Sequence, residues 1–178
     1  MKELDRSVVL VGMMGAGKTS VGKRLAAALG VPFRDADKEI QEAAGCSVNE
    51  IFERLGEPAF REGERKVIAR LLGEPPHILA TGGGAFIDPK TRTAIKERAI
   101  SVWLKADVDL LLSRVARKDT RPLLRNTDPR AALGKLLEDR EPVYAQADIT
   151  VMSDAGPHET VVKRILKALN QRKTGASA

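Results

Sequence analysis

An α/β fold in three layers, with helices on both faces of a central, mainly parallel five-stranded sheet, is predicted by three observations. Short apolar runs alternate with helical patterns along the 178 residues, the signature of strand–helix–strand units packed into a parallel sheet. Residues Gly12 to Thr19, GMMGAGKT, match G-x-x-x-x-G-K-[ST] at every fixed position. That match lies between an apolar run, Ser7 to Val11, and a helical pattern, Thr19 to Leu29, with Val21, Leu25 and Leu29 on one face. Strand, glycine-rich turn and helix in this order make the architecture a P-loop NTPase-type αβα fold.

The remaining elements follow in order. Val31 to Arg34 reads as a second strand ending at Asp35-Ala36-Asp37, and a helix runs from there through Ile40 to Gly45. Ser47-Val48-Asn49-Glu50 is a capping box, so a helix starts there and runs to about Leu55, continuing from Glu57 to Leu72. His77 to Ala80 is a third strand, closed by Thr81-Gly82-Gly83-Gly84. Asp88-Pro89 opens a helix, with Asp as cap and Pro in the first turn. Ser101 to Leu104 is a fourth strand and Asp107 to about Arg117 a helix. A basic stretch reaches Arg130 and a helix follows to about Gln146. Ile149 to Val151 is the last strand, and Gly156-Pro157 leads into a helix to about Asn170. The expected organisation is one domain, residues 1–171, with a mobile lid at about 114–130 and a frayed tail at 172–178.

Composition narrows the functional class. With 43% hydrophobic and 30% charged residues the chain reads as a soluble globular domain rather than a disordered one. The single cysteine, Cys46, excludes an internal disulfide framework and fits a reducing compartment. No run reaches membrane-span length. The N-terminal MKELDRS carries two acids and leads straight into the first strand, unlike a secretory signal, so a cytoplasmic location is expected. A net charge of +6 raises the question of nucleic acid. The aromatics, four Phe with Trp103 and Tyr144, form no spaced stacking set. Anionic small molecules account for the positive excess equally well, and neither a nucleic-acid nor a membrane partner is expected.

The glycine-rich turn states its own chemistry. Glycines let the backbone curl so that N–H groups point at a phosphate, and the following helix adds its positive end. Gly15, Ala16, Gly17, Lys18, Thr19 and Ser20 are therefore the expected nucleotide-binding set. Lys18 is expected to reach the β- and γ-phosphates, and the Thr19 hydroxyl to ligate Mg²⁺, one ion per subunit. A guanine-reading Asn-Lys-x-Asp is absent, which argues against a GTPase. No second nucleotide domain fits the length, which argues against a motor. Small-molecule kinases remain.

Five further motifs occur in order: Asp35-Ala36-Asp37, Phe60-Arg61-Glu62-Gly63-Glu64, Gly82-Gly83-Gly84, Arg121-Pro122-Leu123 and Arg140-Glu141-Pro142-Val143-Tyr144. With the phosphate loop, this series resembles the shikimate kinase family from about Val8 to Leu169. The resemblance implies ATP:shikimate 3-phosphotransfer with Mg²⁺-ATP, in aromatic amino-acid biosynthesis through chorismate, by a monomeric P-loop kinase. It implies that Asp35 contacts Mg²⁺ through water beside Thr19, and that Asp37 hydrogen-bonds the acceptor hydroxyl and is placed to take its proton. Read from their position alone, the two acids also fit a helix N-cap.

Arg61 and Glu64 lie at i, i+3, the spacing of a plain surface ion pair. The resemblance gives Arg61 a substrate carboxylate, with Glu64 orienting the guanidinium and Arg140 as the second arm; a planar fork suits a carboxylate. It places shikimate against Gly82, Gly83 and Gly84, where three successive residues lack a Cβ. It makes Arg121 the lid arginine that stabilises charge on the transferred group. It stacks Arg114 on adenine, with the loop carrying Pro157 closing the other side. The third strand carries no acid for the metal, so the shell is expected to lean on Thr19, Asp35, phosphates and water. Cys46, Trp103, His77 and His158 are read as structural. The rivals are a gluconate kinase-like enzyme for another sugar acid, a catalytically silent nucleotide-binding relative, and a basic nucleic-acid binder.

Overall fold

The computed structural model describes residues 4–116 and 128–175, the side chain at 175 excepted. Five strands form one sheet in the order β2-β3-β1-β4-β5, all paired in parallel. They are β1 (Ser7–Val11), β2 (Phe33–Asp35), β3 (Ile78–Ala80), β4 (Ala99–Lys105) and β5 (Ile149–Met152). All five residues of β1 are buried, as a central strand covered on both faces requires. β4 is longer than the expected Ser101 to Leu104 because it pairs along its length with β1 on one side and β5 on the other.

Seven helices flank the sheet among the described residues: α1 (Lys18–Leu29), α2 (Ala36–Ala44), α3 (Val48–Leu71), α4 (Pro89–Arg98), α5 (Val108–Val115), α6 (Pro129–Tyr144) and α7 (His158–Gly175). A single 3₁₀ turn, Ala85–Ile87, links β3 to α4. Most starts are written in the sequence. Asp35, Asp88, Asp107 and Asp128 each accept backbone N–H bonds as N-caps, and Ser47 with Glu50 forms the expected capping box. α6 thus starts at Pro129, ahead of the expected Arg130. α7 runs on to Gly175, past the expected end at Asn170. Arg172 pairs with Asp148 at 2.9 Å and Lys173 with Asp5 at 3.1 Å, which ties residues 172 and 173 to the body.

α3 holds one discontinuity. Gly56 has φ 80° and ψ 170°, outside helical space, and Pro58 follows two residues later. A side chain at Gly56 would be strained in that conformation, so the break needs glycine. It divides α3 where the sequence pattern passes from one helical stretch to the next.

The topology positions the site. Leu10 lies opposite Ala80, and Ala80 opposite Asp35, so β1, β3 and β2 end side by side at one edge of the sheet. The phosphate loop, the triple glycine and Asp35 to Asp37 therefore leave three adjacent strands at their carboxyl ends. β1 is also where the chain order reverses, the location at which open α/β sheets bind ligands.

Candidate active site

α1 begins without a side-chain cap. Its N-cap, Gly17, sits at φ 93° and makes no side-chain hydrogen bond, leaving the first N–H groups of the helix for an anion. A cavity of about 410 Å³ opens there, lined by Gly15, Gly17, Lys18, Thr19, Ser20, Asp35, Asp37, Thr81, Gly82, Gly83, Arg114, Val115 and His158. Of the expected nucleotide set, Ala16 lies beneath the surface, its carbonyl accepting the Ser153 hydroxyl at 2.8 Å. Lys18 is 8% exposed, and its Nζ donates to the Gly12 and Met13 carbonyls at 2.7 and 2.8 Å.

Thr19 Oγ1 donates to Asp35 Oδ2 at 3.0 Å. Asp35 Oδ1 meanwhile accepts from the Asp37 N–H at 3.1 Å. Asp35 therefore serves as helix cap, as its position alone suggested, and as partner of Thr19 at once. No cluster of three or more His, Cys, Asp or Glu side chains suited to a metal occurs among the described residues. Mg²⁺ is a hard cation that keeps waters and takes phosphate oxygens beside one or two protein ligands. Thr19 and Asp35 supply oxygens of the right kind.

Arg61 stands on α3 between two acids. Arg61 Nη1 donates to Glu64 Oε1 at 2.8 Å, and Arg61 Nη2 lies 3.4 Å from Glu57 Oε1. A Cβ at Gly84 would fall 2.6 Å from Arg61 Nη1 and 2.7 Å from its Cζ, so the guanidinium in this position lies against a residue without a side chain. Glu64 is 1% exposed. Burial pushes its carboxyl up; Arg61 opposes this, while Asp37 and Asp88 add to it. For Arg61, burial works against the charge, and Glu64 and Glu57 overcome it, so the guanidinium is held more firmly protonated. Glu64 Oε2 has no hydrogen-bond partner among the described residues. A Cβ at Gly82 would lie 3.0 Å from Asp37 Oδ1 and 3.4 Å from Glu64 Oε2, which places both acids at that glycine.

A second cavity of about 220 Å³ is lined by Glu57, Arg61, Gly84, Ile87, Asp88 and Arg140. Arg61 and Arg140, far apart in sequence, thus face one space. The triple glycine joins the two cavities: Gly82 and Gly83 line the first and Gly84 the second.

Arg114 is held by its edges. Nη1 donates to the Gly15 carbonyl at 3.1 Å and Nη2 to the Asp154 carbonyl at 3.0 Å, so it fastens the phosphate loop to the β5–α7 connection. Pro157 precedes α7 and is not in the cavity lining, whereas His158 is. Arg121 and most of the expected lid, residues 117–127, lie outside the described residues.

Two residues carry more than the sequence reading gave them. Tyr144 is fully buried and donates its hydroxyl to the Gly83 carbonyl, beneath the triple glycine. The R-x-x-x-Y spacing held the signal, since i, i+4 puts Tyr144 on the helical face of Arg140. His158 packs beside Gly17, and its Nδ1 is buried without a partner. Burial, then Arg114 and Arg24, hold its pKa below the usual imidazole range, against Glu159. No spacing rule marked it. Trp103 is core packing as expected, stacked on Tyr144 with centroids 5.9 Å apart.

A shikimate kinase family model matches residues 14–170. The shikimate kinase of Caulobacter vibrioides is 61% identical over 166 residues, 93% of this chain and 83% of that protein. That of Novosphingobium aromaticivorans is 54% identical over 174 residues, 96% of this chain and 90% of its own. The solved shikimate kinase from Acinetobacter baumannii in complex with shikimate superposes with a TM-score of 0.92 at 39% identity, covering 96% of each chain. A gluconokinase from Sinorhizobium meliloti, at TM-score 0.63 and 20% identity over 99% of this chain and 98% of that one, shares the fold alone. With a family model across most of its length and relatives above half identity, the chain belongs to the shikimate kinase family.

Proposed function

We propose that this protein transfers the γ-phosphoryl group of Mg²⁺-ATP to the 3-hydroxyl of shikimate, giving shikimate 3-phosphate and ADP on the route to chorismate and the aromatic amino acids. The observation that carries this reading is the pair of cavities joined by Gly82 to Gly84, with a phosphate loop in one and two arginines in the other. A cyclic acid lying along the glycines has its carboxylate at Arg61 and Arg140 and a ring hydroxyl toward Asp37. The hydroxyl oxygen forms a bond to the γ-phosphorus as the bond to the β–γ bridging oxygen breaks. The hydroxyl proton passes to Asp37, and ADP leaves.

Lys18 exchanges its carbonyl partners for β- and γ-phosphate oxygens, and Arg121 brings a further charge from the lid. The open N–H groups of α1 and the loop at Gly15, Ala16, Gly17 and Ser20 hold the remaining phosphates. Thr19 and Asp35 would hold Mg²⁺, which would supply positive charge to offset that of the phosphates. Arg114, with Pro157 nearby, borders the adenine. Lid closure excludes water and so suppresses ATP hydrolysis before the acceptor is in place. The reading takes the protein as a monomer working in the cytoplasm; among the described residues no helix is long and apolar enough to cross a membrane.

ADP release measured with a coupled assay tests the proposal. Shikimate is expected to stimulate it strongly and gluconate not at all. No stimulation by shikimate above ATP alone refutes it.

A further inference from the structure

Arg61 faces two acids of different character. Glu64 is 1% exposed and sits at 2.8 Å, a fixed and desolvated partner. Glu57 is 63% exposed and sits at 3.4 Å, beyond the usual length of a charge-assisted bond. Both reach Arg61 from the second half of α3, at i−4 and i+3. Glu57 directly follows Gly56, the point at which the helix breaks, so it starts the second half and lies at that half's positive end.

Glu57 also lines the smaller cavity with Arg61 and Arg140. The other acid there, Asp88, is committed: Oδ2 takes Arg65 Nη1 at 2.6 Å, and Oδ1 caps α4 through the Lys90 and Thr91 N–H groups. An anion entering this cavity therefore meets Glu57 already on the Nη2 side of the guanidinium. Two carboxylates cannot share that nitrogen without repulsion, and exposed pairs of this length contribute little to stability.

We propose that Glu57 is a displaceable anionic placeholder on Arg61: it keeps the guanidinium aligned while the site is empty and yields Nη2 to the substrate carboxylate. Glu57 acts as a positioning residue whose side chain competes with the substrate. The inference deepens the carboxylate-clamp reading of Arg61 and rests on it. Its consequence has a definite sign. Removing the Glu57 charge strengthens binding of the acid substrate, whereas a residue that merely orients Arg61 would weaken binding when removed.

The test compares wild type with Glu57→Gln, which keeps length and an exposed position. Calorimetric titration with shikimate is expected to give a three- to tenfold lower Kd in Glu57→Gln, with the gain carried by KM rather than kcat. Equal or weaker binding in Glu57→Gln, with wild type binding normally, overturns the placeholder. If wild type fails to bind shikimate, the substrate reading is what has failed. Acetate titrated against the Arg61 Nε–H resonance then decides the role of Glu57. A perturbation at several-fold lower acetate concentration in Glu57→Gln supports it, and identical titrations refute it.

Discussion

Tyr144 donates its hydroxyl hydrogen to the Gly83 carbonyl from a fully buried position, pinning the middle of the triple glycine from below. Removing only the oxygen separates this bond from the ring packing against Trp103. Tyr144→Phe is expected to lose about 1 kcal/mol of stability by urea denaturation. Its KM for shikimate should rise while far-UV circular dichroism stays unchanged. An unaltered KM would show that the glycines hold their position without the anchor.

Arg61 bonds buried Glu64 on one side and faces the smaller cavity on the other. Arg61→Lys keeps the charge but loses the planar fork, so shikimate binding is expected to weaken about tenfold or more. Arg61→Ala additionally leaves Glu64 buried without its cation, which should cost about 3 kcal/mol of folding stability. Titration calorimetry and denaturation measured on both variants separate the two effects.

Gly84→Ala tests the close approach itself. The new methyl group would meet the Arg61 guanidinium at under-contact distance, so the guanidinium must turn away. A displacement of this size is expected to reduce kcat/KM for shikimate about a hundredfold, with ATP affinity little changed. Fluorescence titration of a nucleotide analogue provides the control.

Asp35 caps α2 and partners Thr19 through different oxygens. Asparagine caps as well as aspartate but carries no charge. Asp35→Asn should therefore keep its thermal midpoint while requiring several-fold more Mg²⁺ for half-maximal rate. A lost midpoint with an unchanged Mg²⁺ requirement would assign Asp35 to capping alone.

His158 sets a pH dependence of stability. Its folded pKa is depressed below the ordinary value of 6.5, with burial the largest cause. The neutral ring's contribution is thus present above that value and lost as pH falls through the folded pKa. The stability of wild type relative to His158→Gln is expected to decline as pH falls below the ordinary imidazole value, read from urea midpoints. A constant difference would mean that the imidazole titrates alike in folded and unfolded chains.

Local chemistry was legible in the sequence and long-range geometry was not. The phosphate loop, the Ser47 capping box and the Asp88-Pro89 start announce themselves because each works within a few residues of backbone. The family resemblance also implied Arg61 and Arg140 as partners, although only the fold shows them lining one cavity. The sequence order gives no hint that β3 inserts between β1 and β2, since that depends on which faces bury most surface. Tyr144 was visible as a motif letter without a task, because its acceptor is a backbone carbonyl with no sequence signature. His158 and Glu57 gain their meaning from neighbours on other turns, one beside Gly17 and one across from Arg61. α7 continues past Asn170, and Arg172 and Lys173 on that extension pair with Asp148 and Asp5, partners remote in sequence.

The placement of β3 beside β1 bears on how this enzyme is made. Thr81 reaches Leu10 across 71 positions of sequence, so a nascent chain leaving the ribosome displays its ATP cradle long before the neighbouring strand exists to brace it. Bracing of the phosphate loop by its neighbouring strand thus depends on a contact of high sequence separation, the kind whose loop-closure cost slows folding.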